Sequence, residues 1–311
     1  MELELNMNEA FYQKLKTILD DKQILIEEPL AKHTTFEIGG PAQFLILPEN
    51  VSQVAQTVKL CREENMPYYI MGNGSNLLVS DKGYRGTIIK LGRTFGEISI
   101  DEEQGTVRAQ AGVLLSRLAG EIAEHSLTGF EFAAGIPGTL GGAVTMNAGA
   151  YDGEIKYTIL EAAVLDLEGN ILRLNKEELK MGYRTTVIQE KHYIVLEAAF
   201  GFKPGNKEEI LNKINELNGR RREKQPLEYP SAGSTFKRPA GYYAGKLIMD
   251  SGLRGYQVGN AQISEKHCGF VINKGGATAV DVKTLISDVI RIVNNKFGVV
   301  LEPEVKFLGD F

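Results

Sequence analysis

The chain has 311 residues, 35 Lys and Arg against 40 Asp and Glu, a net charge of −5 and 43% hydrophobic residues. This length allows about two domains at roughly 100–200 residues each, and the balance excludes global disorder and lacks the basic footprint of a dedicated nucleic-acid binder. Two distant cysteines, Cys61 and Cys268, an N-terminus without an apolar core and the absence of a long apolar run argue against a disulfide framework, a secretory signal and a membrane span. A reducing, cytoplasmic setting is expected.

From the N-terminus, residues 8–20 read as a helix with Phe11, Leu15, Ile18 and Leu19 on one face. Residues 44–50 read as a strand entering a turn. Val51, Val54, Val58 and Cys61 repeat at helical spacing within 51–65, and 68–71 is then a strand, so the chain opens on a small α/β unit. From residue 72, short β-rich runs at 87–91, 98–100 and 106–112 alternate with glycine-rich turns. A helix over about 114–127 turns Leu114, Leu115, Leu118 and Ile122 inward. Strands follow at 158–166, 171–174 and 192–202. Residues 203–206 (KPGN) read as a linker. A polar helix over 207–224 ends in Arg220, Arg221, Arg222 and Lys224. The last third is α+β, with a long helix over 279–297 and a final strand at 303–308.

Glycine is the anomaly. There are 34, and fifteen fall between residues 71 and 152. Such density means positive backbone angles or close approach of something to the backbone. Gly72-Asn73-Gly74-Ser75-Asn76 directly follows a predicted strand, and its successive N–H groups can form a nest for a pyrophosphate. Leu77 stands where the dinucleotide fingerprint of the Rossmann fold needs glycine. A plain turn between strands is the other reading. The second cluster, Gly135, Gly138, Gly141 and Gly142, lies in nearly uncharged surroundings. That suits a flat, mostly apolar ligand, while close packing of a helix on a sheet would also demand glycine.

In the third segment, 220–239, Arg222, Lys224, Lys237 and Arg238 surround Ser234 and could hold a phosphate-bearing substrate. A solvated basic helix end explains the arginine run equally. Ser234 has no identifiable His-Asp partners and no nucleophile elbow, which argues against a serine hydrolase. GYYAGKL at 241–247 misses the phosphate-loop spacing. His33, His125, His192 and His267 show no metal-ligand spacing, so no metal is expected. His267-Cys268 is a tempting thiol–imidazole pair, but strand neighbours point to opposite faces.

TTFEIGGPA (34–42), GNGSNLL, AGIPGTLGGAVTMNAGAY, GYRTT, GSTFKRP and LEPEVKF stand in this order over most of the chain. Together they resemble the UDP-N-acetylenolpyruvoylglucosamine reductase family (UDP-N-acetylmuramate dehydrogenase), flavoenzymes of peptidoglycan precursor synthesis. With only KPGN between the strand ending near Phe202 and the next helix, the chain is similar to the shorter, type II branch. The resemblance implies an α+β chain with the FAD-binding fold of the vanillyl-alcohol-oxidase type and a C-terminal α+β substrate domain. The expected parts are 1–72 and 73–203 for FAD and 204–311 for substrate, the final strand returning to the FAD region.

The resemblance also assigns roles. Gly72, Asn73, Gly74, Ser75, Asn76 and Leu77 would hold the FAD pyrophosphate. Gly135, Ile136, Gly138 and Gly142 would line the adenine and isoalloxazine region. Arg184, Ser234 and Glu304 would be catalytic, with Ser234 the proton donor, and Lys224 and Arg238 would bind the nucleotide-sugar substrate. The implied reaction uses NADPH and FAD, delivers hydride to C3 of the enolpyruvyl group and a proton to C2. Cations near Ser234, Lys237 included, are expected to assist that proton transfer. The alternatives are an FAD-dependent oxidase or dehydrogenase of the same fold with another substrate, and a flavin-free nucleotide-sugar sensor. A monomer is the default expectation, without nucleic-acid or membrane partners.

Overall fold

The computed structural model describes residues 2–311. It divides into two compact units, each drawn from separate stretches of chain. The first comprises the residues up to Ile26, Phe44–Asn73 and Gly86–Gly219; the second comprises Glu27–Gln43, Gly74–Arg85 and Arg220–Phe311. Among the described residues, no helix is long and apolar enough to cross a membrane.

In the first unit, helices Glu2–Leu15 and Val51–Glu63 bury Phe11, Leu15, Val54, Val58 and Cys61 in one core. Asn50 starts the second helix by accepting from the Gln53 amide at 3.0 Å. Strand Tyr68–Met71 then pairs in parallel with Thr87–Lys90. A five-stranded antiparallel sheet follows, in the order Ile171–Asn175, Ile159–Leu165, Ile194–Gly201, Thr106–Gln110, Ile98–Asp101. Its central strands read as near-continuous apolar runs because both faces are covered.

Helix Leu115–Glu124 buries Leu115, Leu118 and Ile122 as expected, but Leu114 is exposed. The chain is still extended at Leu114, which bridges Thr139 in antiparallel fashion, so its side chain leaves the helical face. The expected linker is also pinned. Lys203–Pro204 pairs with Leu127–Thr128, and the Gly205 amide donates to the Ser126 carbonyl at 2.7 Å. Helix Lys207–Lys224 follows after two residues.

The second unit holds a sheet in the order Ser231–Ser234, Phe270–Asn273, Ala261–Ile263, Gln257–Val258. Helix Ala279–Phe297 buries Val282, Leu285, Ile286, Val289 and Val293 at the spacing of one face, and ends at Gly298 in the left-handed region. The last strand, Lys306–Leu308, pairs in parallel with Leu77–Val79. Just beyond this pairing, the Asp81 carboxylate accepts from the amides of Ala279 and Val280 at 2.8 and 3.2 Å. It thus caps the long helix from another part of the chain, in addition to the local cap by Thr278. Asp81→Ala is expected to lower the stability of this unit by about 0.5–2 kcal/mol, as for other lost caps. The check is the urea midpoint of its transition at unchanged slope.

Candidate functional site

In the first unit, the loop leaving Tyr68–Met71 lies against the segment that leads into helix Leu140–Thr145. Asn73 Nδ2 donates to the Pro137 carbonyl at 2.6 Å. A side chain at Gly72 would overlap Oγ1 of buried Thr139. The 137–141 segment is itself fixed along 111–115. Leu115 N donates to Gly138 O at 3.0 Å, Leu140 N to Val113 O at 2.8 Å and Gly141 N to Ala111 O at 2.8 Å. The glycines therefore serve different purposes. Gly72 and Gly141 allow backbone packing, since a Cβ on Gly141 would come within 2.9 Å of Ala111 Cβ. Gly142 is exposed and faces open space, and Gly135, Ile136 and Gly138 are partly exposed beside it in the sequence.

Among the described residues, the amides of Gly72 through Asn76 donate to no protein acceptor. Gly74 turns through the left-handed region at φ +62°, which a side chain there would strain. Consecutive unspent N–H groups around a left-handed residue make an anion-binding concavity. An unspent amide run of this kind is what the pyrophosphate of FAD would need.

The second unit joins candidates that lie far apart in sequence. Asn76 Nδ2 donates to the Glu304 carbonyl at 3.1 Å, and the Lys306 amide donates to Asn76 O at 2.9 Å. The Glu304 amide donates to Thr235 O at 2.8 Å, beside Ser234. Ser231 exchanges bonds with Thr35, which also donates its amide to Gly74 O. Strand Ser231–Ser234 is bulged, with Gly233 at φ +74°, and leaves Ser234 exposed. Buried Thr235 is locked: its amide donates to Gly269 O, and its hydroxyl accepts from Val271 N at 3.0 Å. Asn76 thus spends its side-chain donor on Glu304, leaving its main-chain N–H for a ligand.

Lys237, partly buried, lies three residues beyond Ser234. Its ammonium is ion-paired with the exposed Glu302 carboxylate. Arg238 is exposed and lies over the Tyr243 ring at 4.0 Å. Lys224 is exposed in the last turn of its helix and, among the described residues, makes no hydrogen bond or ion pair with Ser234 or Glu304. His267 and Cys268 occupy a turn rather than a strand, and the imidazole Nδ1 accepts from Gly269 N at 3.1 Å. Burial pushes the His267 pKa down and the Cys268 thiol up. Burial likewise pushes the Cys61 thiol up to about 11. Neither cysteine is prepared as a thiolate. Among the described residues, no three His, Cys, Asp or Glu side chains are grouped to hold a metal ion.

Arg184 is partly buried in the first unit and sits at φ +56°. Its guanidinium donates to the carbonyls of Asn147 and Gly149 at 3.5 and 3.4 Å. Gln189 Nε2 bonds to the carbonyls of both Arg184 and Thr145, and Thr186 Oγ1 donates to Thr145 O at 2.6 Å. Asn147 escaped the sequence reading. Its signal was a lone amide side chain within the apolar run 143–150, and it is fully buried.

The profile described as UDP-N-acetylenolpyruvoylglucosamine reductase, C-terminal domain, matches residues 225–308, and that of an FAD binding domain matches residues 42–175. A UDP-N-acetylenolpyruvoylglucosamine reductase of Lachnoclostridium phytofermentans is 56% identical over 98% of this chain and 99% of its own. One from Clostridium kluyveri is 52% identical, covering 98% and 100%. Among solved structures, the UDP-N-acetylenolpyruvylglucosamine reductase of Thermus caldophilus superposes with a TM-score of 0.77 at 36% identity, covering 92% of this chain and all of that one. A glucose dehydrogenase, Phl p 4.0202, superposes at 0.52 with 15% identity over 64% of this chain and 44% of its own, a likeness of fold.

Proposed function

Because the chain belongs to the UDP-N-acetylenolpyruvoylglucosamine reductase family, we propose that it reduces UDP-N-acetylglucosamine enolpyruvate to UDP-N-acetylmuramate, with FAD as its cofactor and NADPH as its reductant. The chain is an FAD-dependent oxidoreductase with the FAD-binding fold of the vanillyl-alcohol-oxidase type. The observation that carries the reading of the site is the tie from Asn76 through Glu304 to Thr235, which fixes a carboxylate residue beside an exposed serine. We infer a cytoplasmic enzyme that acts on its nucleotide sugar as a monomer.

When bound, FAD supplies the hydride that reaches C3 of the enolpyruvyl double bond. The chain's own residues supply position, charge and a proton. The amides of Gly72 to Asn76, with Leu77 starting the strand behind them, would hold the pyrophosphate, and Gly135, Ile136, Gly138 and Gly142 would meet its rings. Arg184 binds the substrate carboxylate, into which the negative charge at C2 spreads as hydride arrives. Ser234 gives its hydroxyl proton to C2, which completes the saturated lactyl ether. Glu304, held at its carbonyl and its amide, orients the group that donates. Lys224 and Arg238, exposed and cationic, meet the diphosphate and sugar.

The purified protein is expected to show a flavin spectrum perturbed from that of free FAD. Without oxygen, NADPH should bleach it, and one equivalent of the enolpyruvyl sugar should restore it. Failure to bind FAD would undo the reading of both glycine loops. A bleached flavin indifferent to the enolpyruvyl sugar would leave an oxidoreductase of this fold with another substrate.

A further inference from the structure

Four residues other than glycine around Arg184 sit in the left-handed backbone region: Asn147 at φ +46°, Tyr151 at +48°, Asp152 at +64° and Arg184 itself at +56°. Such conformations persist only where the surroundings over-determine them, and they gather at functional sites. Here the surroundings are visible. Gly149–Ala150 pairs with Gly153–Glu154, so Tyr151 and Asp152 form a two-residue hairpin turn of the doubly left-handed kind. The hairpin admits only glycine at two corners. A Cβ on Gly149 would collide with Gly153 and Glu154, and one on Gly153 with the Phe132 ring.

Asn147 locks this hairpin to the Arg184 segment. Its Nδ2 donates to Glu154 Oε2 at 2.7 Å and to the Gly182 carbonyl at 2.9 Å, and its Oδ1 accepts from Lys156 N at 3.0 Å. Three bonds of a fully buried amide thus join the hairpin and the stretch just after it to the Arg184 segment. The two carbonyls that this frame fixes, of Asn147 and Gly149, are those that receive the Arg184 guanidinium. Glu154 also takes the Lys156 ammonium at 2.8 Å. Although burial opposes its charge, bonds from Lys156 and Asn147 and the nearby Arg184 charge hold its carboxyl below the usual range.

We propose that Asn147 and Glu154 are positioning residues that aim the Arg184 guanidinium at the substrate carboxylate. The inference rests on the role given to Arg184 above. Neither residue touches substrate. Each acts through the hairpin carbonyls.

The test uses the FAD-loaded protein with its flavin oxidised, so that no turnover occurs, and measures binding by calorimetry. The probes are UDP-N-acetylglucosamine enolpyruvate and UDP-N-acetylglucosamine, which differ in the carboxylate-bearing group. Glu154→Ala and Asn147→Ala are expected to lower the preference for the enolpyruvyl sugar by about tenfold or more, the scale of a misplaced charge-assisted bond. Affinity for the plain sugar should hold. Glu154→Gln, which still accepts from Asn147, should recover most of the preference. In an Arg184→Ala background, Glu154→Ala should change it no further, since residues acting through one group are not additive. Asn147→Ala removes three buried bonds and can fail to fold; Glu154, only partly buried, then carries the test alone. Equal weakening of both sugars, or an unchanged preference in a folded Glu154→Ala, would overturn the inference. Equal affinity of the unaltered protein for the two sugars would overturn the role of Arg184 itself.

Discussion

Ser234→Ala is expected to leave reduction of the bound flavin by NADPH near its original rate and to slow reoxidation by the enolpyruvyl sugar by about 10²–10⁴-fold, the loss typical of a general acid. The split follows from where Ser234 sits. Its side chain is exposed at the end of a bulged strand, whereas the bonds that hold the strand belong to its neighbour, buried Thr235. Alanine at 234 therefore removes a hydroxyl without removing a structural contact. The serine proton is drawn by the basicity of the carbanion, which makes the loss of the hydroxyl hard to compensate. Stopped-flow absorbance without oxygen reads both halves separately. Reoxidation at the original rate would remove Ser234 from the proton-donor role.

Gly72→Ala is expected to weaken FAD binding by about 5- to 150-fold, corresponding to an overpacking cost of about 1–3 kcal/mol. The new methyl group would land on Thr139 Oγ1 with the Thr139 Cβ only 3.2 Å away. Thr139 is buried, which limits its room to rotate away. Separation of the two backbones would stretch the bond from Asn73 to Pro137 and displace the amides at the start of the nest. Thr139→Gly in the same chain should return much of the affinity by vacating the space. FAD titration followed by flavin fluorescence gives both constants. Undiminished affinity in the single variant would show that the two glycine segments can part without cost to the cofactor.

Local physics made some elements legible to the residue. Helices 207–224 and 279–297 carry their limits in the sequence, the first between Asn206 and a basic last turn, the second between Thr278 with Asp281 and Gly298. Strand 68–71 is equally plain from its aromatic and β-branched residues. Which stretches build which unit was not legible. Residues 27–43 and 74–85 join the C-terminal third through bonds such as Thr35 to Ser231 and Asn76 to Glu304, and no local pattern announces a partner that far away. At the site, residue types were readable because their order resembles a family, but roles within the glycine runs were not. Gly72 and Gly141 admit packed neighbours while Gly142 faces open space, a difference that exists only in three dimensions. The frame behind Arg184 was hidden for the same reason, since the bonds of Asn147 run to residues that only the fold brings near.

The pairing of Lys306–Leu308 with Leu77–Val79 has a consequence for how the molecule is made. Ser80 bonds the carbonyl of Asp310, 230 positions later, and Leu308 O receives the Ser80 amide. A chain leaves the ribosome N-terminus first, and contacts between distant segments wait for the later one to emerge. Strand 77–79 and the Asn76 side chain therefore wait for residues 304–308 before they gain these partners. Glu304 and the bonds that hold it belong to that last stretch. The tie that places Glu304 beside Ser234 therefore forms only after the segments holding Asn76 and Thr235 have long been made.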